Sequence, residues 1–263
     1  MDEIKDMDCR QYRDNQNYYL SSIMDLGELL LKHGAEVSRV EDTIVRLCLS
    51  YGFVRADVFT ITSSIVATAM LQDGGTITQT RRIRDRVTDL RRVEKANALS
   101  RKACETPFSP MQLRAEIRKI QDSKKIPEPV NLAMYMMISA SLSVFFGGTW
   151  QDGAAAALSG TVLFATLYGS AALKMNSILQ TMVCSAITAL AVSVLVRLGI
   201  GEHPDKIMIG NIMLVIPGIQ LTTSLRDMIS GDIISGLLNM SEALLKAVSV
   251  ALGFAAVFLI GGL

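Results

Sequence analysis

The sequence predicts a membrane protein in two parts: an N-terminal cytoplasmic α+β domain over residues 1–128, then an all-α transmembrane domain of five helices over 129–263. Three observations predict it. Half of the 263 residues are hydrophobic and the mean hydropathy is +0.34, too apolar for an ordinary soluble chain. Charge is unevenly divided, with 21 of 26 Lys and Arg and 19 of 25 Asp and Glu in residues 1–130, against 5 and 6 in residues 131–263. The second half is a series of apolar runs of membrane-spanning length separated by short polar turns. The net charge of +1 specifies no partner.

The opening MDEIKDMDCR is acidic and lacks a basic and apolar leader pattern, so no cleaved signal is expected. From Tyr18, the apolar residues Tyr19, Ile23, Leu26 and Leu30 recur at helical spacing up to His33-Gly34, where glycine favours a stop. A second helix is expected from a capping box, Ser38 at the N-cap and Glu41 three residues on, with Val40, Ile44, Leu47, Cys48 and Tyr51 on one face. The stretch from Asp57 to Thr80 is rich in Val, Ile, Thr and Phe and turns at Asp73-Gly74-Gly75, which predicts two or three strands ending in a hairpin. A helix through Val93, Ala96 and Leu99 follows, then one starting at Ser109-Pro110 with Leu113, Ile117 and Ile120 on one face.

Between strand and helix lies RRIRDRVTDLRR, six arginines in the twelve residues Arg81 to Arg92. Clustered guanidinium groups can neutralise phosphates, but 19 acids share this half and no aromatics interleave, so no nucleic-acid partner is expected. A solvated face or a contact with the anionic headgroups of the lipid bilayer fits better. A third reading is that the arginines concentrate an anionic substrate. Cys9, Cys48, Cys104 and Cys184 are scattered, and His33 and His203 are the only histidines, so no metal site, disulfide framework or cofactor is implied.

Ile126-Pro127-Glu128-Pro129 is the expected hinge. Five apolar segments follow, at about 131–147, 153–173, 176–198, 207–223 and 240–262. With the N-terminus inside, the inner loops hold Arg114, Arg118, Lys119, Lys124, Lys125, Lys174, Arg226 and Lys246, and the outer ones only Arg197 and Lys206. That asymmetry predicts a multi-pass protein of the cell membrane with a cytoplasmic N-terminus. The second segment opens Trp150-Gln151-Asp152 and is dense in Ala and Gly, as in a close-packing helix. Asp152 stands where an N-cap belongs, and substrate or proton work is its other reading.

The chemistry-bearing stretch is Ile207 to Gly236, an apolar run broken at Pro217 and Gly218 and followed by Arg226, Asp227 and Asp232. Proline removes a donor and glycine reaches dihedrals closed to other residues, so the helix should break there. Discontinuous membrane helices build the polar sites of many secondary transporters. The bland reading is a kinked packing helix with a solvated turn. An intramembrane arginine can bind a carboxylate and a buried carboxylate can carry a proton, which makes Arg226 and Asp227 the leading candidates for substrate binding or coupling. In the first half, His33 with Glu36 and Glu41 could form an acid/base group, with Ser63 or Ser64 as nucleophile. Their alternative is a helix-end histidine and a capping glutamate.

Two stretches resemble a known family. Leu214-Val215-Ile216-Pro217-Gly218 followed by Leu221, Asp227, Gly231 and Gly236 is similar to a signature of the threonine/serine exporter family. Leu26-Gly27-Glu28-Leu29-Leu30, His33-Gly34-Ala35-Glu36 and Arg39-Val40-Glu41 resemble the opening of that family's cytoplasmic domain. The resemblance implies export of small polar metabolites driven by an ion gradient, threonine and serine in fused members and dicarboxylates such as succinate in split ones. Fused members carry a second hydrophobic half, so the resemblance is to a split member whose other half is a separate small membrane subunit, or to a homo-oligomer. The alternative from another class is a membrane-anchored hydrolase acting through the cytoplasmic domain.

Overall fold

A computed structural model describes residues 9–124, 126–171 and 175–261. Residues 1–8, on which the expectation about a cleaved signal rests, Lys125 and Lys174 in the charge count, and the segment ends at 172–173 and 262 lie outside the described residues. The chain divides into two compact units. The first is residues 1–124 together with Thr222–Asn239, and the second is 125–221 together with 240–263. Where composition suggested a single boundary near residue 128, a later segment thus groups with the N-terminal unit.

In the first unit, α1 (Cys9–Lys32) and α2 (Val37–Ser50) are followed by β1 (Arg55–Ile61), β2 (Ser64–Met70) and β3 (Thr76–Arg82), then α3 (Leu90–Glu105) and α4 (Pro110–Gln121). α1 begins well before Tyr18, because its first turns, with only Tyr12 buried among polar residues, carry no apolar period. Its end is as expected. Gly34 at φ +91° lets the Ala35 amide reach Leu30 O and its own amide reach Leu31 O, closing the last turn. The capping box expected at Ser38 does not form. α2 starts two residues earlier with Glu36 as its N-cap, which supplies no side-chain cap, and the Glu41 carboxylate instead accepts the Thr60 amide of β1 at 2.6 Å. α4 does open at Ser109 with Pro110 at N1, and Gln112 completes a capping box there that was not expected.

The strands form an antiparallel meander, with Ile61 opposite Ser64 and Met70 opposite Thr76. Its inward face, Ile65, Ala67 and Ala69, joins Leu20, Ile23, Leu30, Ile44, Leu47 and Leu113 in one core. The arginine run is more than a solvated face. Arg81 and Arg114 both bind Asp25, at 2.8 and 3.2 Å, tying β3 and α4 to α1.

In the second unit the helices are α5 (Glu128–Phe145), α6 (Trp150–Ala171), α7 (Ser177–Arg197) and α8 (Pro204–Val215). Two more, α9 (Gly218–Ile229) and α10 (Ile233–Gly261), run from one unit's residues to the other's. Among the described residues three helices are long and apolar enough to cross a membrane, α6, α7 and α10. The α8 and α9 pair makes a fourth if counted as one span bent by 52°. The expected count of five is not reached. Glu128, Asn131 and the serines 139, 141 and 143 dilute α5, so it does not qualify. Glu242 lies inside α10 and pairs with Lys246 one turn on at 2.8 Å.

Glycines set the helix spacing here. A Cβ on Gly210 of α8 would stand 2.5 Å from Ser139 O of α5, and one on Gly160 of α6 would stand 2.7 Å from Ser139 Oγ. Small residues at these points let three backbones approach closely.

Candidate functional site

The chain breaks where Pro217 predicts. α8 ends at Val215, Ile216 is extended at φ −60° and ψ 129°, as a residue before proline prefers, and α9 starts at Gly218. Glycine's special freedom is not used there: Gly218 is not among the positive-φ residues, and a Cβ on it would meet nothing within 4 Å. The break is therefore proline's work.

The last turn of α9 carries Arg226 and Asp227. In the first unit they converge on Glu36 and Val37, where α2 begins. Arg226 Nη1 lies 2.8 Å from Glu36 Oε1, and Asp227 Oδ1 accepts the Val37 amide at 3.4 Å. Asp227 is 2% exposed, whereas the Arg226 side chain is 63% exposed. A carboxylate at a helix N-terminus satisfies an orphan amide and meets the positive end of the dipole. Asp227 thus does for α2 the capping that Ser38 does not. α9 closes on Gly231, φ +101°, whose left-handed turn brings the Asp232 amide back to Asp227 O at 2.9 Å. Asp232 then accepts the Gly236 amide at 2.9 Å as α10 begins. Burial pushes the Glu41 carboxyl above its ordinary value; the Thr60 amide opposes this, and the charge of Asp232 adds to it.

His33 belongs to another arrangement. Its Nδ1 donates to Leu29 O at 2.8 Å, since a carbonyl can only accept, and its Nε2 accepts from Arg92 Nη1 at 3.0 Å, since a guanidinium can only donate. Both ring nitrogens are engaged, so the expected group of His33 with Glu36 and Glu41 is not assembled among the described residues. Ser63 lies in the β1–β2 turn and Ser64 opens β2. No three His, Cys, Asp or Glu side chains among the described residues could hold a metal ion.

Asp152 is wholly buried in the second unit, at N3 of α6 with Thr149 before the helix. Oδ2 accepts the Thr149 amide at 2.8 Å and its hydroxyl at 2.9 Å, and pairs with His203 Nδ1 at 2.9 Å. Oδ1 accepts the amides of Glu202 and His203 at 2.7 and 2.9 Å, where α8 begins. The residue joins two helix starts, and both its oxygens are taken.

All these residues fall within one comparison. The family model described as "Putative threonine/serine exporter" matches residues 21–261. The chain belongs to the threonine/serine exporter family. No curated protein and no solved structure matches it. Membership in this exporter family, with several apolar helices, makes the chain a multi-pass membrane protein of a transporter family.

For an exporter, the informative residues that sequence reasoning passed over are polar and buried in the second unit. Asn211 of α8 accepts from Ser139 Oγ of α5 at 3.0 Å and donates to Ser159 Oγ of α6 at 2.8 Å, all three wholly buried. Ser143 Oγ, also buried, has no hydrogen-bond partner among the described residues. An asparagine amid apolar helices was the available signal; serines recur too often in such helices to stand out.

Proposed function

We propose that the chain is a subunit of a secondary transporter that exports threonine and serine, or a dicarboxylate such as succinate, across the cell membrane. The N-terminal unit faces the cytoplasm, as the lysine and arginine count favours. The observation that carries the reading is the bent α8–α9 pair, which ends in an exposed arginine beside a buried aspartate. Broken helices of this kind present polar groups to a substrate in many carriers. Arg226 can trade Glu36 for the carboxylate of a substrate, an exchange between like partners. The Asn211 cluster and Ser143 supply hydrogen-bonding groups within the apolar unit.

The three or four candidate spans among the described residues are few for an alternating-access carrier, which favours completion by a second small membrane subunit or by a second copy of this chain. The hydrolase reading lacks comparable support, because both nitrogens of His33 serve structural partners. Proteoliposomes loaded with threonine, serine or succinate test the proposal, with this chain alone and with any small membrane protein encoded beside it, under an imposed pH gradient. Efflux in either preparation, lost in Arg226→Ala, supports it. No efflux from folded protein in both preparations overturns it.

A further inference from the structure

α2, α3 and the end of α9 enclose an open groove of about 710 Å³ in the first unit, within the range of small-molecule sites. Its charged lining is four arginines against three carboxylates. Two pairs are internal, Arg46 with Asp42 and Arg226 with Glu36. What remains is Arg39, Arg101 and Glu105, none of which has an ion pair or hydrogen bond among the described residues. Neutral polar groups of Thr43 and Asn97 lie on the same wall.

We propose that this groove binds a free α-amino acid as its zwitterion, the carboxylate on Arg39 and Arg101 and the ammonium on Glu105. The unpaired charges select the ligand class. Two guanidinium groups suit one carboxylate, whose oxygens can accept from both. A zwitterion answers all three unpaired charges, whereas succinate and phosphate carry no cation and would leave Glu105 without a partner. The groove includes Arg226, which the transport reading also uses, but it is defined by equilibrium binding and is therefore tested without any flux. Its wall includes Arg226 and Ser230, so an occupant lies against the end of α9 and the Glu36–Arg226 pair. The groove therefore suits a sensor of the internal amino-acid pool.

The test uses the purified full chain in detergent and measures thermal unfolding with L-threonine, L-serine, succinate and inorganic phosphate. A second readout is maleimide labelling of Cys104, which lines the groove, resolved by peptide mass spectrometry. Cys48 serves as an internal reference: it is buried, and burial pushes its thiol up to about 12. The amino acids should raise the unfolding temperature and protect Cys104. Arg39→Ala, Arg101→Ala and Glu105→Gln should each weaken binding roughly tenfold or more, as expected for a lost charge-assisted bond. Arg118→Ala, on α4 outside the groove, should bind normally. Protection by succinate or phosphate equal to that by threonine, binding unchanged in all three groove variants, or no ligand effect on folded wild-type protein would each overturn the proposal. Because no flux is measured, a chain that exports nothing can still pass this test, and a working exporter can fail it.

Discussion

Asp227 accepts the amide of Val37 across 190 residues of chain, and its neighbour Arg226 pairs with Glu36, the residue just before that amide. The two stretches that carry the family resemblance, one near each end of the chain, therefore meet at the first turn of α2. Asp227 is buried and caps a helix, whereas Arg226 is exposed and reaches a Glu36 whose side chain is largely covered. Their substitutions should behave differently.

Arg226→Ala should leave the fold intact, because the guanidinium side of the pair is exposed and such pairs contribute about 1 kcal/mol or less. Unfolding temperature and monodispersity in detergent should match wild type while efflux is lost. A variant that exports normally would remove Arg226 from the transport reading.

For Asp227→Ala the cost falls on stability, by about 1–2 kcal/mol, the usual value of a lost N-cap acceptor. Asp227→Asn keeps an oxygen for the Val37 amide and should cost less. Hydrogen exchange at the first turn of α2 reads the difference, and equal exchange in both variants would contradict the capping role.

Asp152→Ala should be the most damaging single change, on the order of 3–5 kcal/mol, since it strips a buried carboxylate from its partners and leaves the amides of Glu202 and His203 without an acceptor. Yield of monodisperse protein and its unfolding temperature are the measurements. A well-folded Asp152→Ala protein that fails only in efflux would instead favour substrate or proton work.

At Glu41 the folded-state pKa is raised, so the folded protein holds this proton more tightly than the unfolded chain does. The stability it contributes is fully present below the ordinary carboxylate value of 4.5 and is lost as pH rises through the raised value. Glu41→Gln should flatten that dependence and leave the contact between α2 and β1 firmer at neutral pH. Hydrogen exchange of β1 amides across this range, corrected for intrinsic rates, checks the sign.

Gly210→Ala places a Cβ 2.5 Å from Ser139 O and 3.1 Å from Ser143 N, both backbone atoms that cannot turn aside. α5 and α8 must separate, at about 1–3 kcal/mol for overpacking, and the Ser139–Asn211 hydrogen bond should break with them. An unfolding temperature equal to wild type would show that the close approach is not needed.

Much of the fold was legible where a local rule governs it. The period of α1, the helix start at Ser109-Pro110, the Asp73-Gly74-Gly75 hairpin and the break at Pro217 each follow from a few neighbouring residues. The misread cap and site group share one cause, a partner distant in sequence. Ser38 and Glu41 have a capping box's spacing, yet Asp227 takes over the start of α2 and Thr60 takes Glu41. His33 and Glu36 are three residues apart, yet Arg92 and Arg226 claim them separately. The Asn211 cluster was illegible because its members come from three helices whose pairing no local pattern encodes.

The bonding of Asp152 also bears on how the protein is made. The carboxylate enters with α6, but the amides that fill its Oδ1 belong to Glu202 and His203, at the start of α8. Until α8 emerges from the ribosome, a newly inserted α6 holds half of a buried carboxylate unsatisfied at its end. α6 and α7 should therefore stay with the insertion machinery until α8 arrives, and the four helices α5 to α8 should leave it as one parcel.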